Sequence, residues 1–234
     1  MKKSAEPALN GGAADMEDVA FGPPAVPEPG SVPGVDTPAN AAPQLACLAA
    51  AGTRFVARYY ARGNRAKIIR RGEAQAISAA GLGLVAVWES GFPTTVDYFA
   101  RAQGEADGAD AHQRATEIGQ PRDTPIYFAV DYDADPAHVA GPILEYFRGI
   151  AAGLAGAAGG TARYLVGCYG SGIVCAAIKA AGLASFTWLA QSRGWRGYAD
   201  FTAWNLRQGP VAKLCTLDVD GDEGREPFGE FQVV

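Results

Sequence analysis

Val32-Pro33-Gly34-Val35-Asp36-Thr37-Pro38-Ala39-Asn40 decides between the two architectures open to this chain. A short apolar run ending in a carboxylate reads as a first strand followed by a turn. A doubly wound open sheet would need a glycine-rich phosphate turn at this point. Asp36-Thr37-Pro38-Ala39-Asn40 lacks those glycines. Outward from it, a helix is expected over 44–52, a strand over 55–61 and an alanine-rich helix over 72–80 that stops at Gly81. A strand over 82–88 and a long polar helix over about 96–118 come next. Then follow a strand over 126–133, a helix near 139–154, a strand over 163–169 and a helix over 173–181. Strands over 186–191, 201–208 and 215–220 finish the series with only short connections. Strand-helix-strand units need crossovers, so this order predicts a parallel sheet. Eight strands suit closure: the class is α/β, a TIM-type (β/α)8-like barrel with irregular, helix-poor final strands.

The 234 residues are enough for one large domain with a full core, placed at 32–234. Residues 1–31 are rich in Pro, Ala, Gly and acids and read as a disordered tail. Hydrophobic content of 48% with 19% charged residues is that of a soluble globular protein. A net charge of −5 argues against nucleic acid as a partner. One basic cluster stands out: Arg58, Arg62, Arg65, Lys67, Arg70 and Arg71. It is either a solvated loop and helix start or a contact for an anionic group. No segment reaches the length of a membrane span. Lys2 and Lys3 are followed by Ser4-Ala5-Glu6-Pro7 and not by an apolar run, so no secretory signal is visible.

Cys47, Cys168, Cys175 and Cys215 each lie in an apolar element with no Cys-x-x-Cys, which predicts buried free thiols and no disulfide framework. His112 falls in a polar helix and His138 follows Pro136, so a histidine zinc site or a Ser-His-Asp triad is not expected.

Chemistry should collect at the carboxyl ends of the barrel strands. Those ends supply Asp36, Tyr59 or Tyr60, Trp88, Glu89, Asp131, Asp133, Tyr169, Trp188 and Gln191, then Trp204, Asn205, Gln208, Asp218 and Asp220. Carboxylates for bond cleavage and flat rings for stacking sugar faces form a coherent carbohydrate site. In Pro125-Ile126-Tyr127-Phe128-Ala129-Val130-Asp131-Tyr132-Asp133 a buried strand ends in two acids. Alternation puts both on one side, where repulsion and lost hydration push at least one pKa upward. Asp131, Asp133 and Asp135 also begin like a calcium loop, but Pro136 and Pro142 occupy its glycine and glutamate positions. Asp218, Asp220 and Asp222 fail similarly at Glu223 and Gly229, leaving only irregular Ca²⁺ or Mg²⁺ coordination as a metal reading; no metal or cofactor is required.

Gly34-Val35-Asp36, Val56-Ala57-Arg58-Tyr59-Tyr60, Gly81-Leu82 leading into Val87-Trp88-Glu89, and the 126–133 segment together resemble the glycoside hydrolase-like domain DUF1906. That group is typified by the mycobacterial Rv2525c-like proteins and is similar to the family 25 lysozymes, which cleave peptidoglycan glycan. The resemblance covers about 32 to 231. It matches Asp36 to the lysozymes' first-strand aspartate and Asp131 to the first acid of their Asp-x-Glu pair. Asp133 stands where their proton-donating glutamate stands, one methylene shorter. Trp204 to Gln208 matches a late Trp-Gln strand and Asp218 an eighth-strand aspartate.

The activity implied is hydrolysis of a peptidoglycan-type amino-sugar polymer by a monomer. Asp133 would be the general acid, Asp131 would stabilise developing positive charge, and Asp36 would set protonation or assist water. Tyr59, Trp88, Glu89, Tyr169, Trp188, Gln191, Trp204, Gln208 and Asp218 are expected to bind substrate. An extracellular or cell-wall location follows from the resemblance. The missing glutamate keeps a non-catalytic carbohydrate-binding barrel open as the alternative, beside an effector or scaffold domain.

Overall fold

Period-2 alternation of side chains builds this protein. The computed structural model describes residues 30–63 and 65–234. The expected tail at 1–31 lies, apart from Gly30 and Ser31, outside the described residues. Among them, eight strands close a barrel: β1 Val32–Asp36, β2 Phe55–Tyr60, β3 Gly83–Trp88, β4 Pro125–Ala129, β5 Leu165–Gly170, β6 Phe186–Leu189, β7 Leu206–Leu214 and β8 Leu217–Gly224. On β2 to β4, Phe55, Ala57, Val85, Val87, Tyr127 and Ala129 turn inward and meet Trp188, Leu206 and Phe228 in one cluster. The intervening Val56, Tyr60, Leu84, Ala86, Trp88, Ile126 and Phe128 face outward into a second, larger core. Small residues make room for rings inside: a Cβ on Gly34 would lie 2.2 Å from the Phe55 ring, and one on Gly167 would lie 2.6 Å from Tyr127.

The outer core is covered by α1 Leu45–Ala50, α2 Arg71–Ala79, α3 Arg101–Ile118, the single turn α4 Pro136–His138, α5 Leu144–Ala157 and α6 Gly172–Ala180. Asp135 caps α4 by accepting from the His138 N–H at 2.9 Å. Arg58, an outward residue of β2, is buried against Glu73 of α2 at 2.7 Å. The same guanidinium donates to the Thr37 carbonyl, and Glu73 accepts from the Ala41 N–H at 2.9 Å. This ion pair fastens the loop that leaves Asp36. Arg62 pairs with Asp107 at 2.8 Å and Lys67 with Glu89 at 2.7 Å. The basic cluster is therefore neither a solvated face nor a free anion contact at Arg58, Arg62 and Lys67.

The end of the chain departs from expectation. β1 through β7 run parallel to their neighbours, but β8 is antiparallel to both β7 and β1. The seventh strand begins at Leu206, leaving 201–205 as coil, and it continues to Leu214. Only Cys215 and Thr216 separate it from β8, and both have positive φ, 53° and 69°. A two-residue turn of this hand joins a twisted hairpin and leaves no length for a crossover.

The hairpin tip swings beside α1, where Cys47 and Cys215 form a disulfide with Cα atoms 5.9 Å apart. This corrects the expectation of four free thiols. The partners lie 168 residues apart, and Cys215 reaches α1 from the turn between β7 and β8. Cys168 and Cys175 are free and buried. No helix among the described residues is long and apolar enough to cross a membrane.

Candidate active site

Inward alternation carried one step past the apolar layers brings polar groups to the carboxyl end of the barrel. Asp36 ends β1, Tyr59 lies near the end of β2, and Glu89 and Asp131 follow β3 and β4. Tyr169 comes from β5, Gln191 from beyond β6, Gln208 from β7 and Asp220 from β8. They line a cleft of about 190 Å³ floored in part by Trp188. A wider groove of about 740 Å³, edged by Arg54, Glu226 and Glu230, lies at the strands' amino ends. Barrels of this kind do not place chemistry at that end.

Asp36 is the deepest of the cleft's acids, 2% exposed. Tyr59 donates to its Oδ1 at 2.7 Å and Gln208 Nε2 to its Oδ2 at 2.9 Å. Burial, then the neighbouring Asp220 charge, raise its pKa to about 7 against the restraint of those two donors. Gln208 Nε2 also reaches Asp220 Oδ2 at 3.2 Å, while Asp220 Oδ1 is buried without a hydrogen-bond partner. Burial and the Asp131 charge raise the Asp220 pKa. Burial and Glu89 raise that of Asp131, with Lys67 opposing. Below them Asp222 is buried, with neither carboxyl oxygen hydrogen-bonded. Burial, Asp36 and Asp220 push its pKa well up; the nearby Trp188 indole moderates this without a well-aligned hydrogen bond.

Asp36, Asp131, Tyr59, Glu89, Tyr169, Trp188, Gln191 and Gln208 thus converge. Four other expected residues do not. β4 stops at Ala129, so Asp133 does not share a strand face with Asp131. Asp133 Oδ1 accepts the Arg196 N–H at 2.8 Å and its Oδ2 the guanidinium at 2.7 Å, and it does not line the cleft. Trp88 has the opposite parity to Val87 and Glu89; it faces the outer core, with Arg62 over its ring at 5.4 Å. Trp204 precedes β7 and lies at the other end of the barrel, with the Arg225 guanidinium 3.4 Å and that of Arg207 4.6 Å from its ring centroid. Asp218 is exposed on the hairpin and pairs with Lys213 at 3.2 Å. Asp220 takes the place expected of it, a shift of two residues set by where the hairpin turns. Lys67, read only as part of a basic run, sits behind the site on Glu89 and over the Tyr59 ring at 5.0 Å.

The profile described as "Rv2525c-like, glycoside hydrolase-like domain" matches residues 46–220. This chain belongs to that family. Among curated proteins, the Rv2525c-like chain is 34% identical to the uncharacterized protein FadG of Bacillus subtilis over 140 residues, 58% of this chain and 24% of FadG. It is 30% identical to the uncharacterized protein YbfG of the same organism over 166 residues, 66% of this chain and 22% of YbfG. The chain thus spans about a quarter of the length of these relatives.

In fold it is similar to the Tat-secreted protein Rv2525c of Mycobacterium tuberculosis, crystallised with L-tartrate: TM-score 0.71, 23% identity, 86% of this chain and 98% of that one. It is also similar to a bacterial lysozyme from Streptomyces coelicolor: TM-score 0.54, 14% identity, 85% and 94% coverage. At these identities the likeness is one of fold. The glycoside hydrolase-like barrel is shared; residue roles must come from this chain's own geometry.

Proposed function

We propose that this barrel hydrolyses a cell-wall amino-sugar polymer of the peptidoglycan type in the Asp36–Asp131–Asp220 cleft. The observation that carries the reading is Asp36: a cleft-lining carboxyl poised near neutrality and buried more deeply than Asp131 and Asp220 beside it. Glycoside hydrolysis uses one protonated and one ionised carboxyl, and unequal environments provide them. Protonated Asp36 would deliver its proton to the glycosidic oxygen. Ionised Asp131, only partly buried, would stabilise the positive charge growing on the sugar ring. Asp220 would activate the attacking water and take up the proton that water loses. Tyr59 and Tyr169 would frame the sugar over Trp188. The role inherited by Asp133 passes to Asp36, because Arg196 occupies the Asp133 carboxylate.

Digestion of purified peptidoglycan and of chitin-type oligomers, with mass analysis of the products, tests this. New reducing ends that vanish in Asp36→Asn support it. An intact glycan after prolonged incubation with folded protein defeats it. The Asp133–Arg196 pairing favours a second reading, a carbohydrate-binding barrel without turnover, since a lysozyme-type proton donor is absent at that position. Glycan retention without cleavage, unaltered in Asp36→Asn, is its signature.

A further inference from the structure

Gln208 is a residue of the proposed cleft that has no capacity left for a glycan. A primary amide offers two donors and an oxygen with two acceptor sites. Gln208 Nε2 donates to Asp36 Oδ2 at 2.9 Å and to Asp220 Oδ2 at 3.2 Å. Its Oε1 accepts from the Tyr169 hydroxyl at 2.8 Å and from the Gln191 N–H at 3.4 Å. The residue is also buried, 7% exposed. We propose that Gln208 is a positioning residue: its amide, oriented by Tyr169 and the Gln191 N–H, holds Asp36 and Asp220 as a coupled acid pair and does not bind the sugar.

The orientation is fixed from both ends. Tyr169 and the Gln191 N–H present donors to the oxygen, so the NH₂ must face the two carboxyls. A donor aimed at a carboxylate favours its ionised form. The groups facing Asp36 and Asp220 from the surrounding elements are Tyr59 on β2, Glu89 after β3 with Lys67 on it, Asp131 after β4, Tyr169 on β5 and Asp222 on β8. The carboxylates among them oppose ionisation of the pair. Gln208 and Tyr59 are the side-chain donors working the other way on Asp36. Without the amide, Asp36 would hold its proton too tightly to cycle in neutral solution.

The inference rests on the proposed hydrolase reading for its purpose, but its titration needs no glycan. Carbon-13 labelling of aspartate carboxyls allows the pair to be titrated by NMR in the whole chain. In Gln208→Leu, the midpoint assigned to Asp36 should rise by about one pH unit or more, while Asp131 stays within about 0.3 unit. Tyr169→Phe removes only the hydroxyl that orients the amide and should shift Asp36 the same way by a smaller amount. It decides the matter if the leucine variant does not fold. Midpoints unmoved in a folded variant would overturn the proposal. So would a Gln208→Leu protein whose only change is weaker retention on insoluble glycan, the mark of a sugar contact. Absence of hydrolysis in the wild type defeats the proposed function and leaves this titration standing.

Discussion

Asp36 on β1 and Asp220 on β8 are register partners across an antiparallel seam, and one amide nitrogen of Gln208 donates to both carboxyls. The first and last strands of the barrel thereby complete one acid pair. Two like charges this close, with burial added, cannot both ionise at ordinary cost. The pair therefore takes up a proton at higher pH than an exposed aspartate would.

Asp36→Asn should lower glycan hydrolysis by about a hundredfold or more, the usual scale for a lost general acid. In the wild type the rate should fall about tenfold per pH unit above about 7, where Asp36 loses its proton. A rate flat from pH 6 to 9 under saturating substrate would assign the proton donor elsewhere.

Stability should move with the same group. Its folded pKa is about 7 against an ordinary value of 3.8, so the folded state holds the proton more tightly than the unfolded chain. The stability this lends is complete below pH 3.8 and is lost as pH rises through about 7. Other carboxylates with lowered pKa act oppositely, so the difference between proteins is the measurement. The melting temperature of Asp36→Asn relative to wild type should rise between pH 5 and pH 8. A constant difference across that range would contradict the assignment.

Asp133→Asn tests the position suggested by resemblance. Its carboxylate is occupied by a half-exposed Arg196, so hydrolysis should remain within about twofold and stability within about 1 kcal/mol. Loss of activity beyond about a hundredfold, with the fold retained, would return the proton donor to Asp133.

Reduction, or the double change Cys47→Ser with Cys215→Ser, removes a link that closes 168 residues of chain. The chain-entropy expectation is about 5 kcal/mol, and distortion commonly leaves less. A fall of about 5–15 °C in melting temperature is the expected outcome, read by calorimetry with and without reductant. Because the hairpin carries Gln208 and Asp220, glycan turnover should fall as well. An unchanged melting point would mean that the other contacts of the tip, such as the Thr37 hydroxyl on the Asp218 carbonyl at 2.7 Å, hold it unaided.

The barrel was legible because strand alternation and crossover helices repeat locally, and Asp36, Glu89 and Asp131 could be read as rim residues from strand ends alone. Parity marks what was not. Trp88 differs from Glu89 by one position, and that step turns a side chain from the cleft to the outer core. The reversal of β8 depends on a two-residue turn at Cys215-Thr216 that carries none of the glycine or asparagine usual for it. Missing the turn displaced the seventh strand, put Trp204 on the wrong end, assigned substrate contact to Asp218 when of the two rim aspartates only Asp220 lines the cleft, and hid the disulfide. The Asp133–Arg196 pair joins loops 63 residues apart and has no local pattern at all.

The order in which the strands are made has its own consequence. Without residues 217–224, β1 and β7 would have no strand to join them and Asp36 would lack its partner Asp220. Closure of the barrel and assembly of the acid pair are then a single late event in the life of the nascent polypeptide. A product interrupted before β8 would be deprived of both together.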